Sequence, residues 1–190
     1  MDDDNWPKSY AHWTLFSLDE HLTPLRPLKW EDRLTIREWR NAQVNILRQK
    51  NQLSIAEQDL YFESVIAKEM GDEKPTQVLV AMDQESLVAY GGLTNISWID
   101  KRAEMSILVS EFNNHGLQYE QLFQKFVPSL LALAKNTFGL QRVYTETYVH
   151  RSQQLALLES AGFRYEGTLK EHTYLDGSYI DSVLHGIILQ

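Results

Sequence analysis

Cysteine is absent from the 190-residue chain. This excludes disulfides, thiolate-held metals and cysteine-based covalent catalysis, and it accords with a reducing, cytoplasmic setting. Basic residues are outnumbered, 18 Lys and Arg against 26 Asp and Glu, for a formal net charge of −8. A surface that grips nucleic acid needs clustered cations to neutralise phosphates, so no nucleic acid partner is expected. No apolar run approaches the ~20 residues of a membrane-crossing helix. The opening Met1-Asp2-Asp3-Asp4 is the reverse of a basic signal sequence, and no membrane association is expected. Internal repeats and low-complexity linkers are missing as well. What the chain does have is 43% hydrophobic and 11% aromatic residues, enough for one sizeable core and short for two.

The chain is expected to divide into an extension, residues 1–21, whose Trp6, Tyr10 and Trp13 pack on the body, and one domain over 22–190. Within the domain, 22–28 carries Pro24 and Pro27 and fits only an edge strand. A helix opens at Trp30-Glu31-Asp32 and runs to about Asn41. Ser54-Ile55-Ala56-Glu57 has the spacing of a capping box, and Tyr61, Phe62, Val65 and Ile66 follow at helical intervals, predicting a helix over 54–70. Strands are predicted at 77–82 and 87–98 around a polar turn. Alternation over 103–109 puts Glu104 and Ser106 on one face and Met105, Ile107 and Val109 on the other.

A helix over 118–138 carries the core stripe Tyr119, Leu122, Phe123, Phe126, Val127 and Leu130, with Pro128 expected to kink or break it. Then come a strand at 141–149, a helix at 152–161 with Gly162 as its C′ residue, and a hairpin of 163–175 with 178–189 around Asp176-Gly177. The order β-α-α-β-β-β-α-β-α-β-β is mixed α/β (α+β).

Several short motifs recur in one order: Leu25-Arg26-Pro27-Leu28 with Glu31-Asp32, Glu38-Trp39-Arg40-Asn41, Ala89-Tyr90-Gly91-Gly92-Leu93, Ile99-Asp100 leading to Ala103-Glu104, Ala161-Gly162-Phe163 with Glu166-Gly167, and Asp176-Gly177-Ser178-Tyr179-Ile180-Asp181. Together they resemble the GNAT-type acyl-CoA N-acetyltransferases, in the branch that includes the ribosomal-protein N-terminal acetyltransferases. The likeness spans roughly residues 22–189. It implies a mostly antiparallel central sheet flanked by helices. It also implies transfer of an acetyl group from acetyl-CoA to a primary amine by direct attack, without a metal. The acceptor would be a protein N-terminus or a small amino compound such as an amino sugar nucleotide, and exposed final strands imply a homodimer.

The resemblance also assigns roles. The family's pyrophosphate loop, Gln/Arg-x-x-Gly-x-Gly/Ala, presents backbone N–H groups at a helix start. Here it reads Asn113-Asn114-His115-Gly116-Leu117-Gln118, with a bulky Gln118 and a leading Asn113, so Lys101, Arg102 or Arg151 would supply charge. The family's Asn-x-x-Ser reads Val149-His150-Arg151-Ser152. Glu104 is the implied general base, acting through water on an amine; its plain alternative is a strand Glu paired with Lys101 or Arg102. Ser152 is the implied partner of the leaving thiolate, and its plain alternative is a helix N-cap.

Leu158 stands where many relatives carry an acidic Tyr. Backbone N–H groups of Ile107, Leu108 and Val109 would hold the oxyanion and pair with the pantetheine arm. Trp39, Arg40, Tyr90 and Glu146 would meet the acceptor, although the aromatics also suit a core and Glu146 a surface. His150 needs no special role, and His172 and His185 are too isolated for a metal. The rival reading is a non-catalytic GNAT-like module that binds an acyl-CoA or a partner, its CoA loop degraded.

Overall fold

The computed structural model describes residues 5–11, 13, 24–44, 46–47, 49, 51–83, 86–110, 116–175 and 177–189. Its strands are β1 Leu25–Pro27, β2 Val78–Asp83, β3 Leu87–Ser97, β4 Arg102–Val109, β5 Arg142–Tyr148, β6 Arg164–Leu175 and β7 Ser178–Ile188. Its α-helices are α1 Asp32–Ala42, α2 Ile55–Tyr61, α3 Ala67–Gly71, α4 Gly116–Asn136 and α5 Ser152–Ser160, in the expected order along the chain. The strands form a seven-stranded sheet, β1-β2-β3-β4-β5-β7-β6. Every neighbouring pair is antiparallel except β4 and β5. β1 is an edge strand, as two prolines require, and is shorter than 22–28.

The parallel pair β4 and β5 is joined only at Arg102↔Arg142, Ala103↔Val143 and Glu104↔Tyr144, while β4 runs on to Val109 and β5 to Tyr148. Past Glu104 the two strands part, leaving a wedge whose facing edges have no ladder partner.

Local rules account for the helix ends. The Glu57 N–H donates to Ser54 Oγ at 3.2 Å while Glu57 Oε2 accepts from the Ser54 N–H at 2.8 Å, a complete capping box. At the end of α5, the Gly162 N–H reaches the Glu159 carbonyl (3.0 Å) and the Phe163 N–H the Leu158 carbonyl (3.0 Å), with Gly162 at φ +91. This is a Schellman closure. α4 continues through Pro128 without the anticipated break. The proline ring and Gln124, whose carbonyl loses a donor, both face solvent, so no buried group is orphaned.

Between α2 and α3 lies a departure that the periodicity did not announce, a π-helical turn at Phe62–Ile66. Phe62, Ile66 and Met70 are all buried and recur every four residues. At 3.6 residues per turn such a series drifts around the helix; one wider turn keeps it on the core side.

The core lies between the sheet and its helices and includes the stripe of α4 from Tyr119 to Ala134. Trp6 joins it, stacked against Phe62 (5.5 Å) and tilted against Trp30 (5.6 Å), with its Nε1 donating to the Leu28 carbonyl at 2.7 Å. The Arg26 guanidinium forks between Asp32 (2.7 and 2.8 Å) and Asp83 (2.5 and 2.9 Å), tying β1 to α1 and β2. No helix among the described residues is long and apolar enough to cross a membrane.

Tyr10 serves β2 where β1 has ended. Its hydroxyl donates to the Leu79 carbonyl (3.0 Å) and accepts from the Leu79 N–H (2.8 Å) in a fully buried position. Tyr10→Phe therefore leaves two backbone groups unpaired and should cost about 2–3 kcal/mol. A chemical melt of the variant reads this directly, and an unchanged midpoint would contradict the contact.

Candidate active site

The wedge opens into two adjoining cavities. The first, of 210 Å³, is lined by Ile46, Leu47, Glu104, Glu146, Thr147, Tyr148 and Arg151. The second, of 350 Å³, lies between the start of α4 and the first turn of α5, lined by Ile46, Tyr119, His150, Arg151, Ser152, Gln153 and Gln154. Ile46 and Arg151 belong to both, so Arg151 stands at the junction.

Glu104 is half-buried on β4, in the last pair before the strands part. Its Oε2 accepts from Asn95 Nδ2 at 2.7 Å, so its partner is neither Lys101 nor Arg102. Asn95 sits at φ +49 in the irregular stretch of β3 between Thr94 and Ser97, which turns its amide toward β4. Arg102 instead lies near Asp100 (3.4 Å) and over the Tyr144 ring (5.9 Å). Burial raises the proton affinity of Tyr144, and the Glu104 carboxylate adds to it. Glu146 projects from β5 with a side chain 16% exposed, 3.7 Å from His172 Nε2. Two carboxylates from neighbouring strands thus border one small cleft. The Thr147 hydroxyl beside them is buried without a hydrogen-bond partner.

Leu108 and Val109 are buried and Ile107 half-buried, on the part of β4 that borders the wedge. The Val109 carbonyl accepts from Gln43 Nε2 at 2.7 Å, a closure from the end of α1 that the sequence did not suggest. Asn113, Asn114 and His115 lie outside the described residues. Gly116 opens α4 at φ +64, and its backbone is clasped by one side chain: Gln153 Oε1 accepts from the Gly116 N–H (3.3 Å) while Gln153 Nε2 donates to the Gly116 carbonyl (2.9 Å). Leu117 and Gln118 are exposed.

Ser152 is exposed at the rim of the larger cavity, and the expectation that it caps α5 is corrected. The Arg151 carbonyl accepts the first helical bond, from the Leu155 N–H at 3.1 Å. Arg151 is therefore the N-cap residue, and no side chain bonds at that cap. Val149 and His150 form the turn before it, and Leu158 is core.

Three expected acceptor contacts lie elsewhere. Tyr90 is buried on β3, where its hydroxyl accepts from Arg40 Nη1 at 3.2 Å, and Trp39 packs half-buried against the core. None of them is among the described residues lining either cavity. The Arg40 side chain is directed to a core phenol, which explains why the motif that carries it does not reach the wedge.

Tyr119 belongs to the apolar stripe of α4. Its ring is core, but its side chain lines the larger cavity and its buried hydroxyl lies beside the Arg151 guanidinium. Burial raises its pKa, and the Arg151 guanidinium works against that rise. The available signal was a phenol at the head of an otherwise apolar stripe, since buried hydroxyls ordinarily find partners. Among the described residues no group of three or more His, Asp or Glu side chains is placed to hold a metal.

A family model described as "Acetyltransferase (GNAT) domain" matches residues 25–184. Among solved structures, the chain is similar to spermidine N-acetyltransferase from Vibrio cholerae in complex with CoA and spermine. That match has 20% identity and a TM-score of 0.75, and covers 87% of this chain and 94% of that one. It is also similar to spermidine/spermine N-acetyltransferase SpeG from Vibrio cholerae in complex with manganese ions, at 21% identity and a TM-score of 0.69, covering 87% and 91%. Among curated proteins no sequence match is found. Likeness at such identity speaks for the fold, whereas the family model matches the sequence itself from β1 into β7. The chain belongs to the GNAT acetyltransferase family.

Proposed function

We propose that this acetyltransferase acylates a small primary amine that carries at least one further positive charge, in the cleft beside Glu104 and Glu146. The observation that carries this reading is the meeting of those two carboxylates at the point where β4 and β5 part. An alkylamine is mostly protonated near neutrality, its pKa being close to that of Lys at about 10.4. Glu104, oriented by Asn95, takes the proton through water and leaves a nucleophile. Glu146 holds the distal cation. The likeness to a polyamine acetyltransferase crystallised with spermine supports the same class of acceptor.

The residues present suit a CoA thioester. The wedge offers unpaired strand edges to an extended amide-bearing arm, and the larger cavity is lined by the Arg151 cation and the Tyr119 phenol. The donor supplies the activated acyl carbon. Backbone N–H groups of Ile107 to Val109 hold the acyl oxygen, and Ser152, at the cavity rim, meets the departing sulfur. The reaction proceeds in the cytoplasm, and a second copy pairs along β6, the outer strand of the sheet.

Thiol release from acetyl-CoA, measured with a polyamine, a monoamine of equal length and a peptide bearing a free N-terminus, tests the acceptor. The polyamine should give the highest kcat/KM, and equal values for all three would sink the reading. Glu146→Gln should raise the polyamine KM about tenfold, the low end for a charge-assisted contact at a partly exposed site, while kcat changes little. A monoamine should show no such increase.

A further inference from the structure

We infer that His172 makes the choice of acceptor pH-dependent by acting through Glu146: a protonated imidazole competes with the distal cation of the substrate for the Glu146 carboxylate, and a neutral one does not. The inference rests on the reading of Glu146 given above and adds a control of that same contact.

β6 does not run evenly along β7. Between the pairs Leu169↔Ser182 and Thr173↔Ile180, three residues of β6, Lys170, Glu171 and His172, stand against Asp181 of β7. A bulge of this kind re-aims the side chains it carries and recurs beside active sites. Its middle residue, Glu171, has φ +48, a left-handed conformation uncommon for a residue with a side chain. Asp181 holds it there: Oδ1 accepts from the Glu171 N–H at 2.9 Å and Oδ2 from Lys170 Nζ at 2.7 Å. The Lys170 ammonium, and after it the Glu171 N–H, keep the Asp181 carboxyl below its ordinary range. His172 closes the bulge and reaches over β7 to β5, where its Nε2 stands 3.7 Å from Glu146 Oε1.

That separation is too long for a hydrogen bond, yet two opposite charges attract across it. The side chains are 45% and 16% exposed for His172 and Glu146, so the attraction is partly screened and its effect is modest. Other titratable or charged groups around the pair, among the described residues, are Glu104, Tyr148 and Arg151 lining the same cleft, and Asp181, Lys170 and Glu171 at the bulge. Glu104 accepts from Asn95, and Asp181 is bonded within the bulge. Of these side-chain types, only histidine ordinarily changes charge in the neutral range. Preference for a dicationic acceptor is then strongest at slightly alkaline pH and fades on acidification, while a single amine is unaffected.

The test follows thiol release from acetyl-CoA between about pH 6 and about pH 8, the range of histidine titration, with a polyamine and a monoamine of equal length. Wild type is compared with H172Q and H172K. The ratio of wild-type to H172Q polyamine KM cancels titrations common to both proteins. It should be near unity at the alkaline end and rise to about three- to fivefold at the acid end, the span of a partly exposed ion pair. H172K, a cation throughout, should show the raised ratio at both ends. The kcat values and the monoamine KM should stay within about twofold of wild type. In an E146Q background the further change H172Q should shift KM by less than about 1.5-fold, because the two side chains act as one pair.

A KM ratio that stays within about 1.5-fold over the whole range would overturn the inference, as would an equal rise with the monoamine. A fall in kcat of H172Q that parallels the change in KM would also overturn it and assign His172 to proton transfer. If polyamine and monoamine give equal kcat/KM even at the alkaline end, the reading of Glu146 fails and this inference with it. A retained polyamine preference with a flat ratio removes His172 alone.

Discussion

Glu104→Gln should lower kcat by about a hundredfold to ten-thousandfold, the span of a positioned general base, with CoA affinity unchanged. The substitution is nearly isosteric, and a glutamine carbonyl can still accept the Asn95 amide that holds the native carboxylate at 2.7 Å. Orientation survives and only the proton acceptor is lost. The melting temperature should therefore move little. The deficit should shrink as pH rises toward about 10, where an alkylamine is increasingly neutral without help. Thiol release across pH, paired with CoA titration of the same protein, separates the roles. A kcat within about threefold of wild type would remove Glu104 from proton transfer.

Gly92→Ala should cause the largest loss of stability, about 4 kcal/mol or more. For a chain of this length that corresponds to a fall of roughly 8–16 °C in Tm. Gly92 has φ +148, a conformation side chains rarely adopt, and a Cβ there would run into the Val78 carbonyl on β2. On its other flank, the adjoining Gly91 would drive a Cβ into the Ser106 carbonyl on β4. Neither neighbour can yield, because each is backbone in the middle of the sheet. β4 forms one side of the wedge, so residual folded protein should also lose activity. Gly116→Ala offers the contrast. Its φ of +64 carries strain, but nothing lies within 4 Å of the added atom, and the cost should be nearer 1 kcal/mol.

The parts of the fold written in local sequence were those that local physics specifies. Ser54 and Glu57 announced a helix start, Gly162 a helix end, and the 163–175 and 178–189 segments a hairpin. The π-turn at Phe62–Ile66 escaped because every residue in it also satisfies an α-helical pattern; only the requirement that Met70 share a side with Phe62 selects the wider turn. Ser152 has the chemistry of an N-cap, yet the turn from Tyr148 to Arg151 starts the helix one residue early.

The site divides in the same way. Alternation placed Glu104 on one face of β4, but its proximity to Glu146 follows from the parallel register Glu104↔Tyr144, which spans some forty residues of chain and leaves no local mark. Arg40 and Tyr90, selected by likeness to acceptor-binding positions, satisfy one another instead. Tyr119 was concealed by its own stripe, since its ring does behave as core while its side chain also lines the larger cavity.

The divergence of β4 from β5 has a bearing on how such a protein changes over time. A reaction centre built as a gap between two strands draws its donors from peptide groups, which every amino acid supplies alike. Side chains along the gap can then be exchanged freely while the scaffold persists, and a shape shared at about one identical residue in five is the natural outcome.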